Sequence, residues 1–147
     1  MIDLNRQAEL RTAIETFFFA YRAFTAPPDR VLAERGLGRV HHRVLYFVGR
    51  EPGITVSALL AVLGVSKQAL NGPLRVLVER GLVATAPDGQ DGRVKRLTLT
   101  PPGAQLEGQL SGTQMEMLEK VFVEAGPAAE AAWRAVMARL ATASGPQ

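Results

Sequence analysis

A change of hydrophobic period between residues 55 and 100 limits the folds open to this chain more than any other feature. Two segments with helical spacing of apolar residues come first, separated by a turn at Gly64, and each follows a hydroxyl residue that can cap a helix. Beyond Gly81, two strand-like segments flank a loop with two Asp-Gly dipeptides, which is typical of a β-hairpin. The predicted elements are helices at about Val56–Val62 and Lys67–Arg80 and strands at Leu82–Ala86 and Val94–Thr100. Their order is that of a helix-turn-helix followed by a hairpin.

Further helices are predicted on both sides of this segment. The first, about Asn5–Phe24, is apolar on more than one face, which favours packing against a second chain as well as against its own domain. Ala26-Pro27-Pro28 is expected to end it and to open a short helix that closes at Gly36. The remaining helices are predicted at about Arg39–Arg50, from Pro101 to about Ala125 and at about Ala128–Ala143. The fold class is therefore predicted to be mainly α with a small β-hairpin wing.

Composition narrows the class of protein. The chain has 147 residues, of which 47% are hydrophobic, so it can form one domain with a core and is not largely disordered. No apolar stretch approaches the roughly 20 residues of a membrane span. The polar N-terminus does not have the pattern of a signal peptide, so we expect a cytoplasmic protein without a membrane partner. The sequence contains no cysteine, which excludes disulfides, thiolate metal sites and thiol nucleophiles.

Charge is distributed unevenly along the chain. Residues 66–100 carry six basic and three acidic side chains, whereas residues 101–147 carry three basic and five acidic ones. A basic segment suggests a polyanionic partner such as nucleic acid. The alternative is a solvated surface on which the charges cluster by chance.

The second helix of the predicted helix-turn-helix has a face suited to a DNA groove. The polar residues opposite its apolar face are Gln68, Asn71, Gly72 and Arg75. Glutamine and asparagine pair with adenine edges, and arginine pairs with guanine. Ser66 and Lys67 at the helix N-terminus suit a phosphate group. The alternative is an ordinary amphipathic helix with a solvated face, and Pro73 predicts either a kink or a later start of the helix.

The loop of the hairpin concentrates positive charge. Arg93, Lys95 and Arg96 follow Asp91 within five residues. An arginine at a hairpin tip suits the negative potential of a narrow minor groove. Asp91, two residues before Arg93, is placed to hold the guanidinium by a bidentate pair. A solvated, mobile loop is the alternative.

Four short motifs stand out between residues 64 and 103: Gly64-Val65-Ser66, Gly81-Leu82-Val83, Asp91-Gly92-Arg93 and Leu97-Thr98-Leu99-Thr100-Pro101-Pro102-Gly103. Together they resemble the winged helix-turn-helix of the MarR family of bacterial transcriptional regulators. The strongest is D-x-R followed by L-T-x-x-G. Two features depart from the family pattern: Leu60 stands where a small residue is usual, and Gly72-Pro73 interrupts the recognition helix.

The resemblance implies a homodimer that binds double-stranded DNA. It implies a single domain over residues 1–147, with a DNA-binding lobe at 38–100 and dimerisation helices at 1–35 and 101–147. The helix Lys67–Arg80 would enter the major groove, with Ser66, Lys67, Gln68, Asn71 and Arg75 as contacts, and Arg93, oriented by Asp91 and assisted by Lys95, would reach the minor groove. The predicted function is a regulator, a repressor at a pseudo-palindromic operator. Many members also bind a small aromatic or anionic effector, for which no residues are assigned.

No group of residues indicates an enzyme, a cofactor or a metal site. His41 and His42 are adjacent and therefore point about 100° apart on a helix, without a carboxylate three or four residues further on. The sequence has no Gly-rich phosphate loop. Two other classes stay open at this point: a winged-helix adaptor that binds protein rather than DNA, and a carrier of a small ligand.

Overall fold

The computed structural model of the chain describes residues 1–143. It consists of six helices and three short strands within that range. In chain order the elements are α1 (Leu4–Glu34), α2 (Arg39–Arg50), β1 (Ile54–Thr55), α3 (Val56–Leu63), α4 (Lys67–Glu79), β2 (Val83–Pro87), β3 (Lys95–Leu99), α5 (Pro101–Ala125) and α6 (Pro127–Thr142). The chain forms two compact units, residues 1–113 and residues from 114 onward.

Helix α1 differs from the prediction because it does not end at the proline pair. Pro27 and Pro28 lie inside one helix of 31 residues, where two helices were predicted. Each proline removes a helical N–H donor, which is usually costly. Here Pro28 and Leu32 are buried in the core, and Asp29 binds Arg39 of α2 by a two-pronged ion pair. Tertiary packing therefore keeps the second half of α1 in line with the first.

The core of the first unit lies between its helices and the sheet. Most of its buried residues are leucine, valine and isoleucine side chains, contributed by every element from the end of α1 to the first turns of α5. The largest are Leu32, Leu45, Leu59, Leu70, Leu77, Leu97, Leu106 and Leu110. The predicted apolar face of α4 is confirmed, since Leu70 and Leu77 are buried and Leu74 packs against them. The polar face of α4 is therefore turned to the outside.

The ends of α3 and α4 follow their predicted caps. The Thr55 hydroxyl accepts from the Ala58 N–H and the Ser66 hydroxyl from the Ala69 N–H, both at 3.1 Å. Gly81, with φ +71°, ends α4 in a left-handed turn in which the Leu82 N–H donates to the Leu77 carbonyl at 2.9 Å. The alternative of a later start for α4 is wrong, because Ser66 caps a helix that begins at Lys67 and continues through Pro73.

The wing belongs to a three-stranded antiparallel sheet rather than to an isolated hairpin. Strands β2 and β3 pair from Val83 with Leu99 to Pro87 with Lys95, as the sequence predicts. On the other edge of β3, the two residues of β1 pair with Leu97 and Arg96. The Gly53 N–H extends this edge by donating to the Leu97 carbonyl at 2.8 Å. Because β1 is only two residues long, it has no sequence period and could not be predicted.

Helix α5 begins in close contact with the chain that follows α4. The Thr100 hydroxyl accepts from the Gly103 N–H at 3.1 Å, so Thr100 caps this helix as predicted. Gly103 lies directly against the Leu82 carbonyl, and a Cβ atom at residue 103 would lie 1.9 Å from that oxygen. Only glycine fits this contact, which explains the glycine of the L-T-x-x-G motif by sterics.

A partly buried polar contact joins α2 and α5. His42 Nε2 lies 3.2 Å from the Ser111 hydroxyl, which in turn donates to Glu107 at 3.2 Å. With Ser111 as donor to Glu107, His42 Nε2 carries the proton that Ser111 accepts. Burial lowers the pKa of His42, an effect that Asp29 opposes and Arg43 reinforces. His42 is therefore a packing residue, and the lowered pKa keeps it neutral in the folded protein at neutral pH.

This histidine predicts a stability that falls in mild acid. The unfolded chain takes up a proton near the ordinary histidine pKa of about 6.5, whereas the folded protein does so only at lower pH. The stabilising contribution is complete above that value and is lost as the pH falls through the folded pKa. Urea unfolding at pH 7.5 and 5.5 measures the loss of unfolding free energy between the two pH values, and we expect this loss to be smaller in His42→Gln than in the wild type. Burial also lowers the pKa of His41, so His41→Gln measures the separate contribution of that histidine. A loss in His42→Gln equal to that of the wild type would contradict the role given to His42.

The second unit contains the remainder of α5 and α6. Phe122 and Trp133 lie with ring centroids 5.2 Å apart, and the Arg134 guanidinium lies over the Phe122 ring at 5.7 Å. No side chain of α6 is buried in the described part of the chain. No helix between residues 1 and 143 combines the length and the apolar character that crossing a membrane requires.

Candidate nucleic-acid interface

The outer face of α4 presents four polar side chains to solvent. Lys67, Gln68, Asn71 and Arg75 are all exposed. Among the residues that the structure describes, none of the four makes a side-chain hydrogen bond or ion pair. Gly72 lies on the same helix, and no other atom lies within 4 Å of the position that a Cβ would take, so the helix backbone can approach a partner closely there. This face can donate and accept hydrogen bonds without first breaking any within the chain.

Ser66 has a double role at the start of α4. Its oxygen accepts the Ala69 N–H, so the cap uses the acceptor of the hydroxyl. The hydroxyl proton stays available as a donor, and Lys67 is exposed beside it. Together with the positive end of the helix dipole they make a surface that suits a phosphate group.

Aspartate side chains, rather than left-handed glycines, shape the wing loop. The prediction of a turn at the Asp-Gly dipeptides is correct, but neither Gly89 nor Gly92 has a positive φ. Asp88 Oδ2 accepts the backbone N–H groups of Gln90 and Asp91 at 3.1 and 3.2 Å. Asp91 Oδ1 accepts the Arg93 N–H at 3.0 Å. The loop is therefore a pair of aspartate-capped turns.

The predicted pairing of Asp91 with Arg93 is confirmed. Arg93 Nε and Nη2 donate to the two carboxylate oxygens of Asp91 at 3.2 and 3.4 Å. The backbone and side-chain hydrogen bonds from Arg93 lower the pKa of Asp91, so it is ionised at neutral pH. The Arg93 side chain is nevertheless 93% exposed. Asp91 thus limits the orientations of a guanidinium that projects fully into solvent.

Arg96 is about half exposed, but its guanidinium is bound by groups of the loop and of the segment before β1. Its Nε donates to Asp88 Oδ1 at 2.6 Å and its Nη1 to the Gly53 carbonyl at 2.9 Å. Arg93 and Lys95 are therefore the cations that the wing offers to a partner. Sequence reasoning missed Asp88, which lies two positions beyond Ala86, the pairing partner of Arg96. An acidic residue at this diagonal position of the hairpin is the signal that strand pairing could have supplied.

The described residues hold no metal centre of the usual kind. Between Met1 and Ala143 there is no group of three or more histidine, cysteine, aspartate or glutamate side chains that could hold an ion. The candidate site consists of exposed hydrogen-bonding groups on α4 and of the cations of the wing.

Comparison with known proteins identifies the family. The family model described as "MarR family" matches residues 35–94. PetP of Rhodobacter capsulatus, an HTH-type transcriptional regulator, is 48% identical over 129 residues, which cover 88% of this chain and 78% of PetP. The chain belongs to the MarR family of transcriptional regulators, whose members are non-enzymatic DNA-binding proteins.

Solved structures show the same fold. A MarR family transcription regulator superposes with a TM-score of 0.76 at 23% identity, over 93% of this chain and 91% of that one. MepR of S. aureus in complex with DNA superposes with a TM-score of 0.72 at 18% identity, over 88% of this chain and 96% of MepR. The predicted winged helix-turn-helix is thereby confirmed.

Proposed function

We propose that the protein is a homodimeric repressor that binds a pseudo-palindromic operator, with α4 in the major groove and the wing in the minor groove. The observation that carries the proposal is the outer face of α4, where Gln68, Asn71 and Arg75 are exposed and without partners among the described residues. Amides and arginine on such a face are the groups that distinguish base edges. MepR, whose fold is similar, has been crystallised with DNA.

The wing and the N-terminus of α4 supply the contacts that position the protein. Ser66 and Lys67 would bind phosphate groups, Arg93 would enter the minor groove, and Lys95 would bind the adjoining backbone. Phosphate and groove contacts of this kind fix the register, while base contacts select the sequence.

Exposed apolar side chains support a second copy of the chain as partner. On α1, six large apolar or aromatic side chains are more than 40% exposed: Leu4, Ile14, Phe17, Phe18, Phe19 and Tyr21. In the second unit Val121, Trp133, Val136 and Leu140 are exposed as well. Apolar surface on this scale usually marks a protein interface. The proposal therefore assigns residues 1–35 and 101–147 to dimerisation and residues 38–100 to DNA binding.

Regulation by a ligand would act on the spacing of the two DNA-binding lobes. A small aromatic or anionic effector that binds one spacing better than the other would release or strengthen operator binding, in proportion to that difference in affinity. Transcription in vitro from a promoter that carries the selected operator tests repression, and a rise in transcript without the protein is the expected result.

Selection from random duplex DNA tests the proposal directly. We expect an inverted repeat whose half-sites lie about 10 base pairs apart, because two recognition helices related by a two-fold axis are one helical turn of DNA apart. The binding constant should fall steeply with salt, since phosphate contacts release counterions. A selection that returns no sequence above background, together with binding insensitive to salt, would favour the protein adaptor instead.

Replacement of the wing arginine gives a second test. Arg93→Ala should weaken operator binding, reduce the dependence of log K on log salt by about one for each wing lost, and relax any preference for A·T-rich flanks. Arg93→Lys keeps the charge but loses the planar guanidinium that Asp91 holds. Titration at several salt concentrations measures both variants. Unchanged affinity and flank preference in Arg93→Ala would remove the wing from the mechanism.

A further inference from the structure

Arg96, the third cation of the wing, donates its hydrogen bonds to groups of the protein itself. Arg96 pairs with Asp88 across the end of the hairpin, with Nε 2.6 Å from Oδ1. The Asp88 side chain is only 18% exposed, and that of Arg96 is 49% exposed. This pair is thus more enclosed than the Asp91–Arg93 pair, and its arginine is less available to a partner.

Asp88 is the point at which the wing loop is tied together. Its second oxygen accepts the N–H groups of Gln90 and Asp91, and its own N–H donates to the Val94 carbonyl at 2.8 Å. The hydrogen bond from Arg96 and those from the two backbone N–H groups lower the pKa of Asp88, so the carboxylate is charged at neutral pH. One side chain therefore joins the start of the loop, its middle and β3.

Arg96 connects this loop to the helix-turn-helix. Its second donor reaches the carbonyl of Gly53, two residues before Thr55, the N-cap of α3. Gly53 also donates to the Leu97 carbonyl and has a φ of +88°. The contact therefore joins the wing to the segment that leads into the first helix of the DNA-binding motif.

We propose that Asp88 and Arg96 are positioning residues that hold the wing so that Arg93 meets the DNA in the right place. The path is short: Arg96 binds Asp88, Asp88 binds the Asp91 N–H, and Asp91 holds Arg93. The proposal rests on the proposed DNA-binding function and assigns to Arg96 a role within the protein, not on a phosphate.

Asp88→Ala distinguishes a positioning role of Arg96 from a phosphate-binding role, because the two predict opposite changes in DNA affinity. The substitution removes one negative charge, which raises the net charge by one, and it frees Arg96. A phosphate-binding role for Arg96 therefore predicts tighter DNA binding. A positioning role predicts weaker binding, by about fivefold, because a misplaced Arg93 loses a contact with DNA worth about one hydrogen bond. Glu9→Ala, which removes the carboxylate of an exposed ion pair in α1, changes the net charge equally and is the control.

A double-mutant cycle tests whether Asp88 acts through Arg93. The binding constant for the selected operator is measured for the wild type, Asp88→Ala, Arg93→Ala and the double variant. We expect the loss caused by Asp88→Ala to disappear when Arg93 is already alanine. Tighter binding, unchanged binding or an equal loss in both backgrounds would overturn the proposal.

Amide hydrogen exchange without DNA gives a second, independent measurement. We expect Asp88→Ala to speed exchange at Gln90, Asp91 and Arg93 but not in α4, and Glu9→Ala to leave the wing unchanged. Unaltered exchange in the wing of Asp88→Ala would overturn the positioning role even if the protein binds DNA. If the wild type binds no duplex DNA, the proposed function fails, whereas exchange still decides whether the pair holds the loop.

Discussion

Gly103→Ala is expected to lower the free energy of unfolding by about 1–3 kcal/mol, the usual cost of overpacking a close contact. The new Cβ atom would lie 1.9 Å from the Leu82 carbonyl oxygen, and backbone atoms, unlike the end of a long side chain, cannot move aside cheaply. The first turn of α5 would have to shift. This shift would also move Thr100, whose N–H donates to the same Leu82 carbonyl at 3.1 Å, so that hydrogen bond would be strained or lost. Urea unfolding followed by circular dichroism measures the effect.

A second glycine of the same helix is the matched control. Gly108 is exposed and has nothing within 4 Å of the position that its Cβ would take. Gly108→Ala should therefore be neutral or stabilise the protein by about 0.5–1 kcal/mol, because alanine loses less backbone entropy in a helix. Equal stability of the Gly103→Ala variant and the wild type would show that α5 does not rest on Leu82 as described.

Arg75→Ala is expected to weaken binding to the selected operator by about 10- to 100-fold, which corresponds to about 1–3 kcal/mol for a bidentate arginine–base contact. The preference for one base in each half-site should be lost, while affinity for unrelated duplex DNA changes far less. The physical reason is that Arg75 is exposed on the outer face of α4 and has no partner within the described chain. Fluorescence anisotropy with the selected and a scrambled duplex measures both affinities.

Arg75→Lys separates base recognition from charge. Lysine keeps the positive charge but cannot present two parallel donors in a plane. If Arg75 contacts a guanine, Arg75→Lys should bind scrambled DNA like the wild type and lose discrimination on the selected site. Wild-type discrimination in Arg75→Lys would show that Arg75 contacts only phosphate.

Local features of this protein were predictable where a single residue type causes the local structure. Thr55 and Ser66 cap the helices that they precede because their oxygens satisfy free N–H groups within three residues. Gly81 ends α4 because it adopts a positive φ at little cost. The same holds for the Asp91–Arg93 pair, whose partners are two residues apart.

Features that depend on distant partners were not predictable from the chain alone. The proline pair in α1 reads as a helix end, but burial of Pro28 and the ion pair between Asp29 and Arg39 override it. Strand β1 forms because its two residues pair with the free edge of β3, and two residues are too few to show an alternation of apolar and polar side chains. Arg96 reads as a third exposed cation, but the carbonyl of Gly53 and the carboxylate of Asp88 hold it.

The sequence by itself determined the order of helices and hairpin, the apolar face of α4, the caps and the family resemblance. These depend on interactions within a few residues or on the spacing of apolar side chains, which the linear order contains. Only the tertiary structure decided that α1 is one helix, that a third strand completes the sheet and that Asp88 and Arg96 tie the wing to the approach to α3. Those features come from contacts between residues far apart in the chain, such as Gly53 and Leu97, which are 44 positions apart. The free energy of such contacts depends on how the whole unit packs.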